Sequence, residues 1–154
     1  MSIASSMQIS ASGLTAERVR LDVISNNIAN VNTTRGADGQ PYRRQQVVFA
    51  ARQAGGAFAA ALAAARGEGR NGQMTGAGVQ VTAIEPDRTH DFKIVHDPGH
   101  PDADANGNVR LPNVEPIVEM VDMIAASRAY EAGVTAINSA KQMQQRALEI
   151  GRAS

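Results

Sequence analysis

The chain has 154 residues, with 15 Lys and Arg against 15 Asp and Glu, so its formal net charge is zero. That balance argues against a nucleic-acid binder, which needs a basic surface to release counterions from phosphates. Aromatic residues make up only 3%, and Cys and Trp are absent, which excludes a disulfide framework and any Cys metal site.

The first predicted element is a helix from about Ile3 to Asn30, roughly 40 Å long at ~1.5 Å per residue. Met7, Leu14, Leu21 and Ile28 recur every seven residues, and Ile3, Ile24 and Val31 fall beside that row. This is an a/d seam across about four heptads, weakened by Ser10 and Glu17 at apolar places. A lone helix cannot bury such a seam, so the pattern calls for a helical partner. Met1 to Ser12 has neither a basic leader nor an apolar core and does not read as a cleavable signal peptide. No apolar run approaches the ~20 residues needed to span a bilayer.

The helix runs out at Ser25-Asn26-Asn27-Ile28-Ala29-Asn30-Val31-Asn32-Thr33. Asn favours helix ends because its short amide competes for nearby backbone groups. On composition, C-capping before a Thr-Thr-Arg-Gly turn explains the cluster better than an amide network between chains.

The middle reads as short strands and loops. Tyr42–Phe49 is a strand candidate after Pro41. Phe58 and Leu62 could share a face of a short helix in the Ala/Gly-rich stretch, and Gly67–Gly72 has the composition of a flexible loop. Gly78–Glu85 alternates Val79, Val81 and Ala83 against Gln80, Thr82 and Ile84, and Pro86 stops it. Phe92–Val95 and Val109–Leu111 are further candidates. All three His (His90, His96, His100) lie here beside Asp91, Asp97, Asp102 and Asp104. Asp102-Ala103-Asp104-Ala105-Asn106-Gly107 copies the first half of a calcium loop, but position nine is Arg110 and position twelve is Asn113. A solvated turn explains it better than a metal site.

A second long helix is predicted from Val114 to about Gly151, with Asn113 as N-cap and Pro116 in the first turn. One stripe is Met123, Tyr130 and Ile137, flanked by Ser127 and Val134; a second is Ile117, Val121 and Ile124. Apolar residues on two sides mean burial against two neighbours. The fold class is therefore α+β: two long terminal α-helices pairing as a coiled-coil-like core, with a small β-rich, loop-rich inserted domain. The boundaries are 1–33, 34–112 and 113–154.

SNNIANVNT at Ser25–Thr33 resembles the N-terminal signature of the bacterial flagellar axial proteins of the rod and hook. PYRRQQVVF at Pro41–Phe49, DPGHPDADANGNVRLPNV at Asp97–Val114 and EMVDMIAASRAYEAGVTAINSAKQM at Glu119–Met143 place the resemblance among the rod proteins. Two departures are the Ala/Gly-rich Gln53–Gly78, longer than that family leads one to expect, and Gly133 in place of a better helix former. The resemblance implies a structural subunit of the basal-body rod, a shaft that crosses the periplasm and transmits torque. It implies export by the flagellar type III apparatus without a cleaved signal. It implies terminal helices that pair as the inner layer of a hollow tube through which exported subunits pass. The partners implied are copies of itself, other rod proteins and the export apparatus, with no nucleic acid, no membrane insertion, no cofactor and no enzymatic activity. The helix-pairing residues expected are Met7, Leu14, Leu21, Ile24 and Ile28 facing Met123, Tyr130, Val134 and Ile137. The matching motif adds Asn26, Asn27, Asn30 and Arg128 as subunit contacts. A further expectation is that the terminal helices order fully only on assembly.

Two rival classes remain open on the residues alone. A non-polymerising helical adaptor or chaperone-like binder would hold one partner in fixed stoichiometry. A metal-dependent enzyme would retain metal on dialysis.

Overall fold

The computed structural model describes residues 3–36, 38–52, 65 and 76–152. Six elements follow in order: α1 (Ile3–Ala29), β1 (Gln45–Ala51), β2 (Val79–Pro86), β3 (Lys93–His96), β4 (Asn108–Leu111) and α2 (Pro116–Arg152). The protein is an α+β mix of two long helices and two small antiparallel sheets, β1–β2 and β3–β4. Phe58, Leu62 and the Gly67–Gly72 loop lie outside the described residues.

Both helices start and stop within one or two residues of the sequence expectation. No Pro interrupts α1, and it has no acidic first turn or basic last turn to complement its dipole, so packing must hold it. It ends in a tight turn, where the Val31 N–H bonds the Ile28 carbonyl and the Thr33 N–H bonds the Asn30 carbonyl. Pro116 opens α2, where its missing N–H costs nothing. Asn113 is not the N-cap. The helix begins three residues later, and the Asn113 side chain is engaged elsewhere: its Oδ1 accepts the Arg44 N–H at 2.8 Å and its Nδ2 donates to the Asp87 and His90 carbonyls.

The strands are slightly displaced from expectation, for a related reason. Tyr42 to Arg44 do not join β1 because their backbone groups pair outside the sheet. The Tyr42 N–H goes to the Thr33 carbonyl and the Arg44 N–H to Asn113. On β2 the expected alternation holds, with Val79, Val81 and Ala83 half-buried and Gln80, Thr82 and Ile84 exposed. β3 and β4 pair in register from Lys93↔Leu111 to His96↔Asn108. Their connection needs Gly107, at φ +77°, where a Cβ would lie 3.0 Å from both His96 and Pro98.

Contacts divide the chain into two compact units. One comprises 1–16, 49–81 and 129–154; the other comprises 17–48 and 82–128. Within the first, Ala16 and Ala140 are buried. Gly78 approaches α1 so closely that a Cβ would fall 2.1 Å from Ser12 Oγ, and that hydroxyl accepts the Val79 N–H. Gly133 faces Leu14, whose Cδ2 would meet an added Cβ at 2.8 Å. This close approach explains a glycine in mid-helix, where it costs ~1 kcal/mol relative to alanine. Within the second unit the apolar core is Val23, Ile24, Val109, Val114 and Ala126, with Asn27, Asp87 and Glu119 buried among them.

Candidate interface and its polar anchor

The Asn-rich end of α1 builds the second unit around one side chain. Asn27 is 1% exposed and all four of its hydrogen-bonding capacities are used. Its Oδ1 accepts from the Gln45 N–H at 2.9 Å and from the Tyr42 hydroxyl at 2.8 Å. Its Nδ2 donates to the Gln45 carbonyl at 2.9 Å and to Glu119 Oε2 at 3.0 Å. The amide thus pairs with both backbone groups of Gln45, as a neighbouring strand would, at the first residue of β1. Only an amide offers donor and acceptor in that geometry.

Glu119, in the first turn of α2, is fully buried. Its other oxygen, Oε1, receives Arg44 Nε, and the same guanidinium reaches Asp122 at 3.4 Å. Arg20 of α1 faces Asp122 at 3.6 Å. A buried carboxylate needs such partners, because desolvation without them costs several kcal/mol. Burial pushes the Tyr42 hydroxyl pKa up, and the nearby Glu119 charge adds to the rise. Around this anchor, Asn26 Nδ2 donates to the Tyr42 oxygen at 3.3 Å. Asn30 Nδ2 donates to Asn26 Oδ1, and the Thr33 hydroxyl donates to Asn30 Oδ1.

A second buried carboxylate, Asp87, closes the loop after β2. Burial alone would raise its pKa. Hydrogen bonds from the Thr89 hydroxyl, the His90 ring and the backbone N–H groups of Thr89 and His90 overcome that and hold it well below the usual carboxylate range. Gln46 Nε2 adds a contact at 3.2 Å.

The residues that suggested a calcium loop have other work. Asp102 accepts the Thr34 hydroxyl at 2.7 Å and faces Arg35 at 3.7 Å. Asp104 Oδ1 accepts the N–H groups of Asn106 and Asn108, forming a turn on its own backbone. Among the described residues no three His, Asp or Glu are grouped to hold a metal ion. No described helix is long and apolar enough to cross a membrane.

The expected helix-pairing residues fall at different depths. Ile24 and Asn27 are buried; Met7, Leu14, Leu21, Ile28, Asn30, Met123, Tyr130 and Ile137 are half-buried; Asn26, Arg128 and Val134 are exposed. On α2 the inward rows have heptad spacing: Glu119, Ala126, Gly133 and Ala140, with Met123, Tyr130 and Ile137 beside them. The other expected stripe lies outside, with Ile117 70%, Val121 61% and Ile124 55% exposed. The sequence reading missed Glu119, Arg44, Tyr42, Asp87 and Asn113 as structural anchors. A signal existed for Glu119, a carboxylate on a row otherwise made of Ala and Gly.

Two long helices tied through buried side chains, with an exposed apolar stripe, form the framework of this chain, and the family comparisons make it a structural subunit. Residues 7–37 match the family described as "Flagella basal body rod protein", and residues 105–150 match "Flagellar basal body rod FlgEFG protein C-terminal". The chain is 48% identical to the flagellar basal-body rod protein FlgC of Borreliella burgdorferi, covering 97% of this chain and 98% of that one. It is 46% identical to FlgC of Bacillus subtilis (96% and 97% covered) and 38% identical to FlgC of Salmonella typhimurium (99% and 100% covered). The chain therefore belongs to the FlgC family of flagellar basal-body rod proteins.

Proposed function

We propose that this chain is a structural subunit of the basal-body rod that assembles through its terminal helices, 1–33 and 113–154, with 34–112 as an outward insert. The helices pair in coiled-coil fashion and line a hollow, torque-transmitting tube. Copies of the chain and other rod proteins are its neighbours. The chain passes through the flagellar export apparatus without a cleaved signal and works in the periplasm. It has no catalytic role. The terminal helices complete their ordering on assembly, since ordering free helices costs entropy that an interface must offset.

The observation that supports this reading most directly is the uncovered stripe Ile117, Val121 and Ile124 on α2. Exposed apolar residues in one row on a helix mark a face that packs against another chain. Head-to-tail contacts of that kind, when they do not close, make a helical filament. The test is Leu21→Asp in a bacterium carrying this chain as its only copy. The half-buried Leu21 lies on the expected seam, and a carboxylate there without a partner should abolish the rod and motility. Normal motility with the variant at wild-type abundance would overturn the seam assignment.

A further inference from the structure

The turn that leads into β4 places Asn106 directly before Gly107. A side-chain amide is open to attack by the next main-chain nitrogen where no side chain shields that nitrogen, and glycine alone has none. Other described Asn residues lack this opening. Val, Ile or Thr, each branched at Cβ, follows Asn27, Asn30, Asn32, Asn108 and Asn113. Asn26 and Asn138 sit inside helices, where the following N–H serves the helix. The second Asn-Gly pair, Asn71–Gly72, lies outside the described residues. Asn106 is exposed, so water and hydroxide reach its amide.

Its surroundings hold the pair closed. The Gly107 N–H, the nucleophile of such an attack, donates to the Asp104 carbonyl at 2.9 Å. Asp104 Oδ1 accepts the Asn106 N–H at 2.8 Å and the Asn108 N–H at 2.9 Å. The Asp104 N–H in turn reaches the Asn108 carbonyl at 2.9 Å. Gly107 is fixed from its other side, where its carbonyl accepts the Asp97 N–H at 2.9 Å. Asp at the first place and Gly at the fourth are the residues such a turn favours.

We infer that Asn106 is a deamidation site of this chain and that Asp104 guards it. In the reaction the Gly107 nitrogen gives its proton to base and bonds to Asn106 Cγ. The Cγ–Nδ2 bond breaks, the departing nitrogen takes a proton from water, and ammonia leaves behind a five-membered imide. Water then adds to one of the two imide carbonyls and opens the ring, giving aspartate or isoaspartate. Only molecules whose turn has opened can react, so the rate follows the opened fraction, as it does in amide hydrogen exchange. Isoaspartate lengthens the main chain by one carbon between Asp104 and Asn108. That breaks the spacing on which the Asp104 bonds depend, so the reaction loosens the β3–β4 connection irreversibly.

The purified full chain is incubated at mildly alkaline pH, folded and in guanidinium chloride, and sampled over time. Trypsin releases Ile94–Arg110, separate from the peptide that carries Asn71, and fragmentation mass spectrometry distinguishes Asn106 from Asn108. Aspartate and isoaspartate should both accumulate at position 106 in the folded chain, at least about tenfold more slowly than in denaturant. Asp104→Ala should raise the folded rate at least about threefold, whereas Asp104→Asn, which keeps an accepting oxygen, should stay within about twofold of wild type. Asp104 is exposed, so the fold should tolerate both changes, and circular dichroism checks it. Absence of product at Asn106 from the folded or the denatured chain overturns the site. Equal rates in the two states overturn the guard, whatever the variants do. An unchanged rate in Asp104→Ala overturns the role of Asp104, and so does a slower one, which would make its carboxylate the base for the attack.

Discussion

Asn27→Ala should be the most costly single truncation in α1. The change removes the amide that satisfies both backbone groups of Gln45, one oxygen of Glu119 and the Tyr42 hydroxyl. Glu119 keeps Arg44, and the Tyr42 oxygen still accepts from Asn26 while its own O–H loses its acceptor. The three neutral bonds are worth about 1 kcal/mol each, and the bond to a carboxylate about 1.5 kcal/mol. The expected loss is about 4.5 kcal/mol, a large share of the ~5–15 kcal/mol that holds a domain. With a urea slope of ~2 kcal/mol/M, the midpoint should fall by about 2 M. Urea unfolding of the purified full chain, followed by circular dichroism, measures it. Asn26→Ala is the control: Asn26 is exposed, makes one long bond to Tyr42 and serves Asn30 locally, so its loss should cost about 1 kcal/mol or less. Equal midpoints for the two variants, or an Asn27→Ala loss below about 1 kcal/mol, would refute the claim that Asn27 anchors the unit.

Stability should fall at both ends of the pH range, for opposite reasons. Asp87 has a folded pKa below its unfolded value, so its contribution is complete above about pH 4 and is lost as the pH drops further. Tyr42 has a folded pKa above its unfolded value near 10, so its contribution is complete below about pH 10 and is lost as the pH rises through the folded pKa. Ultraviolet titration of the two tyrosines should show Tyr42 ionising at lower pH in Glu119→Gln than in the wild type, yet still late, because burial is the larger cause. Gly78→Ala should destabilise by about 2–4 kcal/mol, combining backbone strain at φ +104° with displacement of the Ser12 hydroxyl. Gly76→Ala, with open space around it, should be near neutral in the same thermal melt.

Much of this architecture could be read from periodicity. Both helices, the alternation on β2 and the β3–β4 candidates follow from spacing of apolar residues, since one buried face fixes the pattern. The choice of inward row on α1 was harder. Met7, Leu14, Leu21 and Ile28 form the obvious heptad, yet within this chain the buried positions are Ala16, Val23, Ile24 and Asn27. Small residues bury little area each, so a hydrophobicity pattern ranks them below leucine. Here Ala16, Ala126 and Ala140 are buried and Gly133 approaches Leu14 closely, while Met7, Leu14, Leu21 and Ile28 stay half-buried. Asn113 misled for a different reason. Capping preference is a local rule, whereas its amide is recruited by Arg44, Asp87 and His90, far away in sequence. The same long-range recruitment hid Arg44, whose partners are Glu119 and Asp122, whereas Asp87 bonds mainly to its near neighbours Thr89 and His90.

The polar anchor and the small-residue rows are connected. Helix faces built from Ala126, Gly133 and Ala140 offer few bulky side chains to fix where a neighbouring helix must sit. A slip along such a face would lose little apolar burial. It would lose Glu119. That carboxylate is tolerated without solvent only where Asn27 Nδ2 and Arg44 Nε meet it, and displacement would leave a buried charge unpaired. The Asn27 amide adds a second constraint, because it also starts β1 by pairing with Gln45. One position of α2 therefore satisfies the end of α1, the first residue of the sheet and the Arg44 guanidinium together. That selectivity matters more than the small stabilisation the ion pair itself provides. It sets the rotation of α2, and the rotation of α2 decides that Ile117, Val121 and Ile124 face outward.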